Sequence, residues 1–568
     1  MRNLNILRSL LACAALFIAL PMVTNAQQLE DGRFSGSFET NSIYYVPDKD
    51  VYHNTTPDDR IGSNNYLKLE YTNGRLIIGA QAEYYGKSLQ GFNPMLDKFK
   101  VMTKYVTWRD ENYSITVGDI FEQFGNGLVL RSWEDRDLGF NNSIEGARIT
   151  YNYNDYFNLK ALWGRPRFAM DYVDTEIRAV DLSVSLSRLL NMRKTNLAIE
   201  GSFVNRYENR SDWFTDSAGA PLLSNNMDLW SGRIVFDTDF GLSIKGEAAG
   251  KGKDPIYTTT HGTLYKHGNA QLAEISYNGN GFGITLTGRR LKYMNTSLTY
   301  DPDFMPSPLD HDYAIYNQSN MMNFLPALTR QHTYMLANIQ PHQLQVEGEQ
   351  GGQLDVFYNV KRGTGVGGRY GMKLHLNASA YFPIERGIKS DGSEGDYNLT
   401  YTDISLDIDK KWNRTFETIL LYSFQGYNPE HGMTSKLFKA HVFVLDMLYK
   451  FNRKTSVRTE LQYLYSEDDY GDFGKDWWGA LVELNVAPRW SFFVSDMYNW
   501  QFNRTHDVDE KQVHIKQHYY NGGVSFTKGR VRAALSYGRH RAGFVCSGGV
   551  CRVVPAYTGA NFTFTASF

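Results

Sequence analysis

Two cysteines near the end of the chain have the type and spacing that most directly suggest chemistry. Cys546 and Cys551 stand in the sequence VCSGGVCR and are the only cysteines beyond Cys13. A zinc site needs about four Cys or His ligands at suitable spacing, and a thioredoxin-like site needs the shorter C-x-x-C inside an α/β pattern. Neither pattern is present, so the pair forms either a disulfide or two free thiols, depending on the cellular compartment.

The first residues of the chain predict export. Arg2 and Arg8 precede an apolar run over residues 10–23, and small residues follow at a position suited to signal-peptidase cleavage. We therefore predict a signal peptide over residues 1–26 and a mature protein over residues 27–568.

Export determines how the cysteines are interpreted. Outside the cytoplasm two nearby cysteines are expected to oxidise, and a short loop with two glycines can close if the Cα atoms come within about 7 Å. We predict a disulfide between Cys546 and Cys551, with a reduced pair as the alternative. Cys13 could instead mark a lipoprotein cleavage site, but it follows Arg8 too closely for a complete apolar core. We interpret it as part of the signal peptide.

A second group of residues that could do chemistry is the charged stretch GDIFEQFGNGLVLRSWEDRDLGFNNSIEGARI, residues 118–149. Gly118, Gly125, Gly127 and Gly139 in it permit sharp backbone turns. Its charges of both signs could line a constriction that selects solutes. The alternative is an ordered surface loop held by ion pairs worth about 0–1 kcal/mol each. The predicted constriction residues are Asp119, Glu122, Arg131, Glu134, Asp135 and Arg136.

The elements that position these residues show a hydrophobic period of two. The last nine residues, ANFTFTASF, place Ala and Phe on one face and Asn, Thr and Ser on the other. The same alternation appears in IRAVDLSVSL (177–186), TDISLDID (402–409) and SVRTELQYLY (456–465). Such alternation is typical of a β-sheet with one apolar and one polar face.

Segment lengths and connections favour a membrane barrel among the all-β folds. The alternating segments run about 10–14 residues, longer than the about 5–6 residues of globular strands and suited to tilted membrane strands. Short polar turns such as TNGR, NGNG and TKGR alternate with longer loops. We predict one large transmembrane antiparallel β-barrel of about 24 strands, between about 22 and 26, with short periplasmic turns and long extracellular loops.

A barrel this wide needs internal material, because about 16–18 strands already surround an aqueous channel and 22 strands usually hold a plug. The first predicted strand begins near Arg33, and we expect residues 118–146 to fold inward as a constriction. The strand count places Cys546 and Cys551 in an extracellular loop. The final residue, Phe568, suits recognition by the barrel assembly machinery.

Composition and motifs argue against other classes. A formal net charge of −2 lacks the basic excess typical of nucleic-acid binding. We find neither a nucleophile elbow nor an H-E-x-x-H motif, so we predict that the protein is not an enzyme and needs no cofactor.

Two acidic stretches could bind a cation. The first holds Asp301, Asp303, Asp310, His311 and Asp312, whose oxygens suit a divalent ion. The second, residues 466–476, could bind calcium or cation-bridged lipopolysaccharide. Both compositions are also normal for long surface loops, so no metal site is predicted.

Three stretches resemble a known family. GDIFEQFGNGLVLRSWEDRDLGFNNSIEGARI, NFLPALTRQHTYMLANIQP (323–341) and CSGGVCRVVPAYTG (546–559) resemble outer-membrane proteins of the Bacteroidota that share a domain of unknown function. The resemblance covers nearly the whole mature chain and implies location and fold. The first stretch is also similar to solute-specific porins in which such a segment folds into the pore, although Asn141 stands where those porins have an acidic residue.

The predicted function is that of a bacterial outer-membrane channel. It would pass small polar solutes through a barrel embedded among outer-membrane lipid and lipopolysaccharide. The alternative is a non-conducting barrel whose extracellular loops capture a ligand or dock a partner. Conductance separates the two hypotheses.

Overall fold

The computed structural model describes residues 32–568 apart from 50–55, 211–212, 259–261, 307–316, 318, 327–328, 346, 387–392, 431, 468–474, 501–504, 509–510, 515–517 and 548–549. The predicted signal peptide and part of the predicted cation sites lie outside the described residues. In the part of the chain that is described, no helix is long and apolar enough to cross a membrane.

Twenty-four long antiparallel strands dominate the structure. The first twelve are β1 (Arg33–Val46), β2 (Ile61–Asn73), β3 (Leu76–Tyr85), β4 (Lys98–Arg109), β5 (Tyr113–Ile120), β6 (Ile144–Tyr153), β7 (Phe157–Phe168), β8 (Glu176–Ser185), β9 (Thr195–Tyr207), β10 (Asn226–Thr238), β11 (Leu242–Thr258) and β12 (Gly262–Gly279). The second twelve are β13 (Phe282–Lys292), β14 (Gly348–Val360), β15 (Met372–Pro383), β16 (Tyr401–Lys411), β17 (Phe416–Tyr427), β18 (Phe438–Lys450), β19 (Thr455–Tyr465), β20 (Trp477–Val486), β21 (Trp490–Asn499), β22 (Asn521–Lys528), β23 (Val531–His540) and β24 (Tyr557–Ser567).

The remaining described elements are short. They are the helix Leu186–Leu189, the 3-10 turn Leu336–Asn338, the two-residue strands Glu134–Asp135, Phe140–Asn141 and Asp171–Tyr172, and the hairpins Thr505–Val508 with Lys511–His514 and Gly543–Ser547 with Val550–Val554. The barrel wall closes without any of these short elements.

The long strands close into a barrel, because each pairs with its neighbours in sequence and the last returns to the first. Ser37 on β1 lies opposite Ser567 on β24, and the same strand pairs with β2 on its other side. The backbone of Phe568 exchanges two hydrogen bonds of 3.0 Å with Gly36. Closure leaves no unpaired edge, which a lipid environment requires. The predicted count of about 24 strands is confirmed.

Side chains alternate across the wall as the sequence predicts. On β8, Val180 and Leu182 point outward and are 44% and 41% exposed, whereas Asp181 between them points inward and is 7% exposed. On β16, Ile404 points outward and Asp403 inward. An apolar outer surface and a polar interior are the arrangement of a barrel that contacts lipid outside and water or polar groups inside.

The two ends of the barrel differ in the length of their connections. The first and the last described residues lie at the end with short turns, among them residues 74–75, 280–281 and 529–530. The other end carries long connections, including 121–143 between β5 and β6 and 293–347 between β13 and β14. We refer to these ends as periplasmic and extracellular, and the predicted asymmetry of turns and loops is confirmed.

Cys546 and Cys551 lie at the extracellular end, in the connection between β23 and β24. The backbone register of the hairpin places them directly opposite each other. Their side chains lie outside the described residues, so the disulfide stays a prediction.

Candidate pore constriction

Residues 121–143, hereafter the first inner segment, lie inside the barrel. The backbone and side-chain nitrogens of Asn126 donate to Glu247 on β11, at 3.0 and 2.7 Å. At its other end, Arg136 donates to Glu39 on β1 at 2.7 Å. Strands β1 and β11 are ten positions apart in a wall of twenty-four, so the segment crosses the lumen.

Glycine allows the first inner segment to approach the wall closely. Gly125 has a φ of +54° and Gly127 a φ of +88°, which L side chains rarely adopt. A Cβ on Gly125 would lie 2.5 Å from the Cδ atom of Arg233 on β10. The sharp turns expected from these glycines are therefore present.

Apolar side chains fix the first inner segment to one side of the lumen. Phe124, Leu128 and Leu130 are at most 1% exposed and belong to one buried cluster. The cluster takes at least one inward side chain from each of six consecutive strands, among them Ile177, Val204, Leu229, Ala249, Ala270 and Leu291. Because these atoms are removed from water, the segment is held as part of the core.

Arg136 is the most connected charge of the first inner segment. Besides Glu39, its guanidinium donates to Gln81 on β3 at 2.8 Å and lies 3.4 Å from Glu134. The guanidinium also lies over the ring of Tyr66, 4.6 Å from its centroid. Burial opposes its charge, but the nearby carboxylates outweigh burial and hold the pKa of Arg136 above its ordinary value.

Glu122 is paired with the opposite charge on the adjacent wall. Its carboxylate lies 3.1 Å from Arg148 on β6 and 2.8 Å from Lys160 on β7. Glu122 is 9% exposed, whereas Arg148 and Lys160 keep 22% and 30% of their side chains exposed. The two basic groups therefore line a space that water reaches.

Arg131 contacts two aromatic rings, and Asp135 contacts a nearby backbone group. The guanidinium of Arg131 lies 4.1 Å from the ring centroid of Trp133 and 4.0 Å from that of Phe324. Burial lowers the pKa of Arg131, although Asp135 opposes the shift. Asp135 itself accepts a hydrogen bond from the backbone of Leu138 at 3.0 Å.

Asp119 differs from the other predicted constriction residues because it lies in the wall, on β5. Residues 118–120 pair with 144–146 of β6, so the inward fold begins and ends inside the range expected from the sequence. Its carboxylate accepts from the hydroxyl groups of Ser143 and Tyr172 and from the backbone of Lys104. Asp119 thus anchors the base of the first inner segment.

A second segment, which the sequence did not identify as part of the constriction, also fills the lumen. The described residues of 293–345 are hereafter called the second inner segment, and residues 330–338 of this segment follow the wall opposite the first. Arg330 pairs with Asp407 on β16, His332 lies 2.6 Å from Asp403, and Tyr334 donates to a carboxylate on β18 at 3.2 Å. These inward acidic side chains hold the segment against β16–β18.

Apolar contacts and backbone hydrogen bonds extend this attachment to β19. The backbone of Leu336 donates to Gln462 at 2.9 Å, and Gln425 donates to the carbonyl of Ala337 at 2.7 Å. Leu336 and Ala337 are buried in a cluster with Val442 and Trp477 of the wall. The second inner segment is therefore a fixed part of the interior.

The two inner segments bind each other. Arg131 donates its backbone N–H to the carbonyl of Met322 at 3.0 Å, and Phe324 donates to Gly127 at 2.8 Å. The side chain of Asn142 adds a bond of 2.8 Å to the carbonyl of Met321. Together the segments form one layer across the lumen.

A buried charge cluster ties this layer to the wall on the side of β9–β11. Arg206 and Arg210 both bind Asp254 at 2.7 Å, and all three side chains are 0% exposed. Tyr300 of the second inner segment donates to the same carboxylate at 2.9 Å. The sequence carries a trace of this cluster in NRYENR, where Arg206, Glu208 and Arg210 recur at every second position.

The region around Arg136 contains little free space. A cavity of about 10 Å³ is lined there by Glu83, Glu134, Arg136 and Arg167. That volume is close to the smallest that holds one water molecule. The neighbouring acidic and basic groups are thus separated by no more than a water.

No metal-ion site is formed by the described residues. They contain no group of three or more His, Cys, Asp or Glu side chains that could hold a metal ion. Asp310, His311 and Asp312 of the first acidic stretch lie outside the described residues.

The fold and its interior define the class of protein. An even-numbered closed antiparallel barrel with an apolar outer face, a charged interior, short turns at one end and long loops at the other is a bacterial outer-membrane β-barrel. Its own connections narrow the lumen. The chain belongs to the Family of unknown function (DUF6029), whose profile matches residues 5–568.

Solved barrels with low sequence identity are similar in fold. The siderophore receptor PirA from Pseudomonas aeruginosa is 9% identical over 94% of this chain and 80% of that chain, with a TM-score of 0.40. OpdK from Pseudomonas aeruginosa is 11% identical over 74% of this chain and 99% of that chain, with a TM-score of 0.36. A BenF-like porin from Pseudomonas fluorescens Pf-5 is 10% identical over 77% of this chain and 99% of that chain, with a TM-score of 0.37. The search of curated proteins gives no match.

Proposed function

We propose that the protein is a selective outer-membrane channel for small polar solutes. In this proposal the two inner segments form the constriction, and Glu122, Arg131, Glu134, Asp135 and Arg136 set its charge. The proposal assigns no catalytic activity to the chain.

The observation that carries the proposal is the partial exposure of charged side chains at the first inner segment. Arg136, Glu134 and Glu39 keep 20%, 23% and 33% of their side chains exposed while bound to one another. Inside a barrel such exposed charged atoms face water rather than lipid. Acidic and basic groups fixed around a narrow aqueous passage select solutes by charge and size.

A second candidate function is supported by a different observation. The buried cluster around Phe124 and the fully buried Arg206–Asp254 pair fill space that a wide pore would need. A barrel filled in this way could be non-conducting and use its extracellular loops to bind a ligand or a partner protein. Solute passage distinguishes the two functions.

Swelling of proteoliposomes tests the proposal. Purified protein is expected to admit glycine and a monosaccharide faster than protein-free liposomes do, and to exclude a larger oligosaccharide. The folded state is checked on gels by its heat-modifiable migration. Folded protein that admits none of these solutes would contradict the channel and favour the binding barrel.

Two expectations from the sequence belong with this proposal. The resemblance to proteins of the Bacteroidota would place the chain in that group of bacteria. The terminal Phe568, whose ring stacks on Phe34 with centroids 6.4 Å apart, would be read by the barrel assembly machinery before β1 and β24 pair.

A further inference from the structure

The periplasmic turns divide the rim of the barrel into two parts of different charge. The connections between β2 and β13 contain four basic and four acidic residues, counted over 74–75, 110–112, 154–156, 186–194, 239–241 and 280–281. The connections between β14 and β23 contain eight basic residues and no acidic one, counted over 361–371, 412–415, 451–454, 487–489 and 529–530. We call these last five turns the basic arc.

The charges of the basic arc are exposed to solvent. All eight side chains are exposed, and within the described residues none of them has an ion-pair partner. In the balanced part of the rim, by contrast, Arg75 pairs with Asp110 at 2.6 Å and Arg188 lies 3.8 Å from Asp155. At the ends of the neighbouring strands, basic side chains such as Lys410 and Lys528 stand beside acidic ones such as Asp409 and Glu417, so the excess of positive charge lies in the turns themselves.

Strand order makes these charges one surface. Neighbouring turns are two strands apart, and strands are spaced by about 4.8 Å, so the turns follow one another at roughly 10 Å. That distance is close to the Debye length of about 10 Å at 0.1 M salt. The positive charges therefore repel one another and jointly attract anions.

Exposed aromatic residues lie at the same level as the basic arc. Trp412, Phe451 and Trp490, each within or beside one of the five turns, are 58%, 60% and 46% exposed. Trp412 donates its indole N–H to the hydroxyl of Thr418 at 2.8 Å, and Trp490 packs on Phe526 with centroids 4.8 Å apart. Aromatic rings fixed on the outer wall in this way mark the level of lipid headgroups.

From these observations we propose that the basic arc is a binding surface for the headgroups of anionic phospholipids in the periplasmic leaflet. Clusters of Lys and Arg at a membrane surface recognise anionic lipid, and aromatic neighbours hold them at headgroup depth. A soluble acidic protein could bind the basic charges alone. The lipid-facing aromatic residues at the same level therefore favour lipid as the ligand. The surface does not depend on whether the lumen conducts.

Quenching of tryptophan fluorescence by brominated lipid tests this proposal. The protein is reconstituted in phosphatidylcholine vesicles that contain a small fraction of either brominated phosphatidylglycerol or brominated phosphatidylcholine. Subtracting the signal of W412F/W490F isolates the two tryptophans of the arc. We expect brominated phosphatidylglycerol to bind roughly fivefold more strongly than brominated phosphatidylcholine, because one basic residue near an anionic surface contributes about this factor. This preference should fall as the salt concentration rises.

Two variants provide the comparison. R414Q/R453Q/K454Q/R489Q/R530Q removes five charges of the arc and should abolish the preference, whereas R75Q/R188Q/R193Q/K194Q removes the four basic residues of the balanced turns and should keep it. Each variant must show the heat-modifiable band of a folded barrel. Equal quenching by the two lipids in the native protein, or a preference that survives in the first variant, would overturn the proposal. Displacement by inorganic phosphate beyond that by chloride at equal ionic strength would also overturn it, by showing a phosphate site instead.

Discussion

Arg167 and Glu83 form a two-bond ion pair inside the barrel although the strands that carry them are four positions apart in the wall. The guanidinium of Arg167 on β7 donates to both carboxylate oxygens of Glu83 on β3, at 2.7 and 2.6 Å, and both side chains are 1% exposed. The ion pair therefore crosses the lumen in front of β4, β5 and β6, and we call it the chord. It closes this side of the lumen beside the first inner segment.

Removing one member of this pair should destabilise the barrel strongly. Glu83→Gln leaves the Arg167 guanidinium buried without a counter-charge, which typically costs about 3–5 kcal/mol. We expect a lower urea midpoint for loss of the heat-modifiable band. Glu274→Gln is the matched control, because Glu274 is a partly exposed partner of Lys245 at 3.3 Å, and exposed pairs contribute about 0–1 kcal/mol. An equal drop of the urea midpoint in the two variants would contradict a special role for the Arg167–Glu83 pair.

Neutralising Arg136 should make the channel prefer cations. Arg136→Gln leaves Glu39 and Glu134 without their basic partner at the partly exposed site. One such charge at roughly 4 Å contributes about 1 kcal/mol even in water, or about fivefold in the cation-to-anion permeability ratio. The reversal potential in a KCl gradient measures this ratio. E39Q/R136Q should return it towards the native value, and an unchanged potential in Arg136→Gln would move the residue out of the solute path.

Loosening the second inner segment at β16 should widen the passage. Arg330→Ala together with His332→Ala removes the contacts to Asp407 and Asp403, while the hydrogen bonds of Tyr334, Leu336 and Ala337 still hold the following residues. We expect higher conductance and admission of larger sugars in proteoliposome swelling. Lys373→Ala is the control, because Lys373 pairs with Asp409 at 3.0 Å near the periplasmic end. Unchanged size exclusion in a folded double variant would show that this segment does not limit the pore.

The cysteine pair should affect the loop and not the barrel. We expect no free thiol in the mature protein until it is reduced. Replacing Cys546 and Cys551 with Ser should leave a heat-modifiable barrel, because a loop this short gains only about 2–3 kcal/mol from closure. Its effect should appear as faster proteolysis between Gly543 and Pro555. Failure of the double variant to assemble would instead make the pair essential for folding.

The alternation of side chains made the barrel predictable from sequence. Pairs such as Val180 and Asp181 lie on opposite faces because the strand repeat is two residues, and this signal needs no tertiary information. Glycines and mixed charges in the sequence identified residues 118–146 as irregular. The partners of these charges were not predictable, because Arg136 and Glu39 are separated by 97 residues along the chain.

The second inner segment and the basic arc could not be predicted from the sequence, for related reasons. Met294, Leu298 and Met322 are buried in the lumen, yet they recur with no period that distinguishes them from a loop. The five basic turns are scattered over about 170 residues of sequence, between Lys361 and Arg530. They become neighbours only when the strands are placed in order around the wall.

Single-channel recording of the purified protein in planar lipid bilayers tests the central claim most directly. The proposed channel predicts discrete conductance steps that grow with KCl concentration, because ions would cross a water-filled constriction between the two inner segments. Protein that migrates as a folded barrel, inserts into the bilayer and produces no steps at any salt concentration would contradict the channel function.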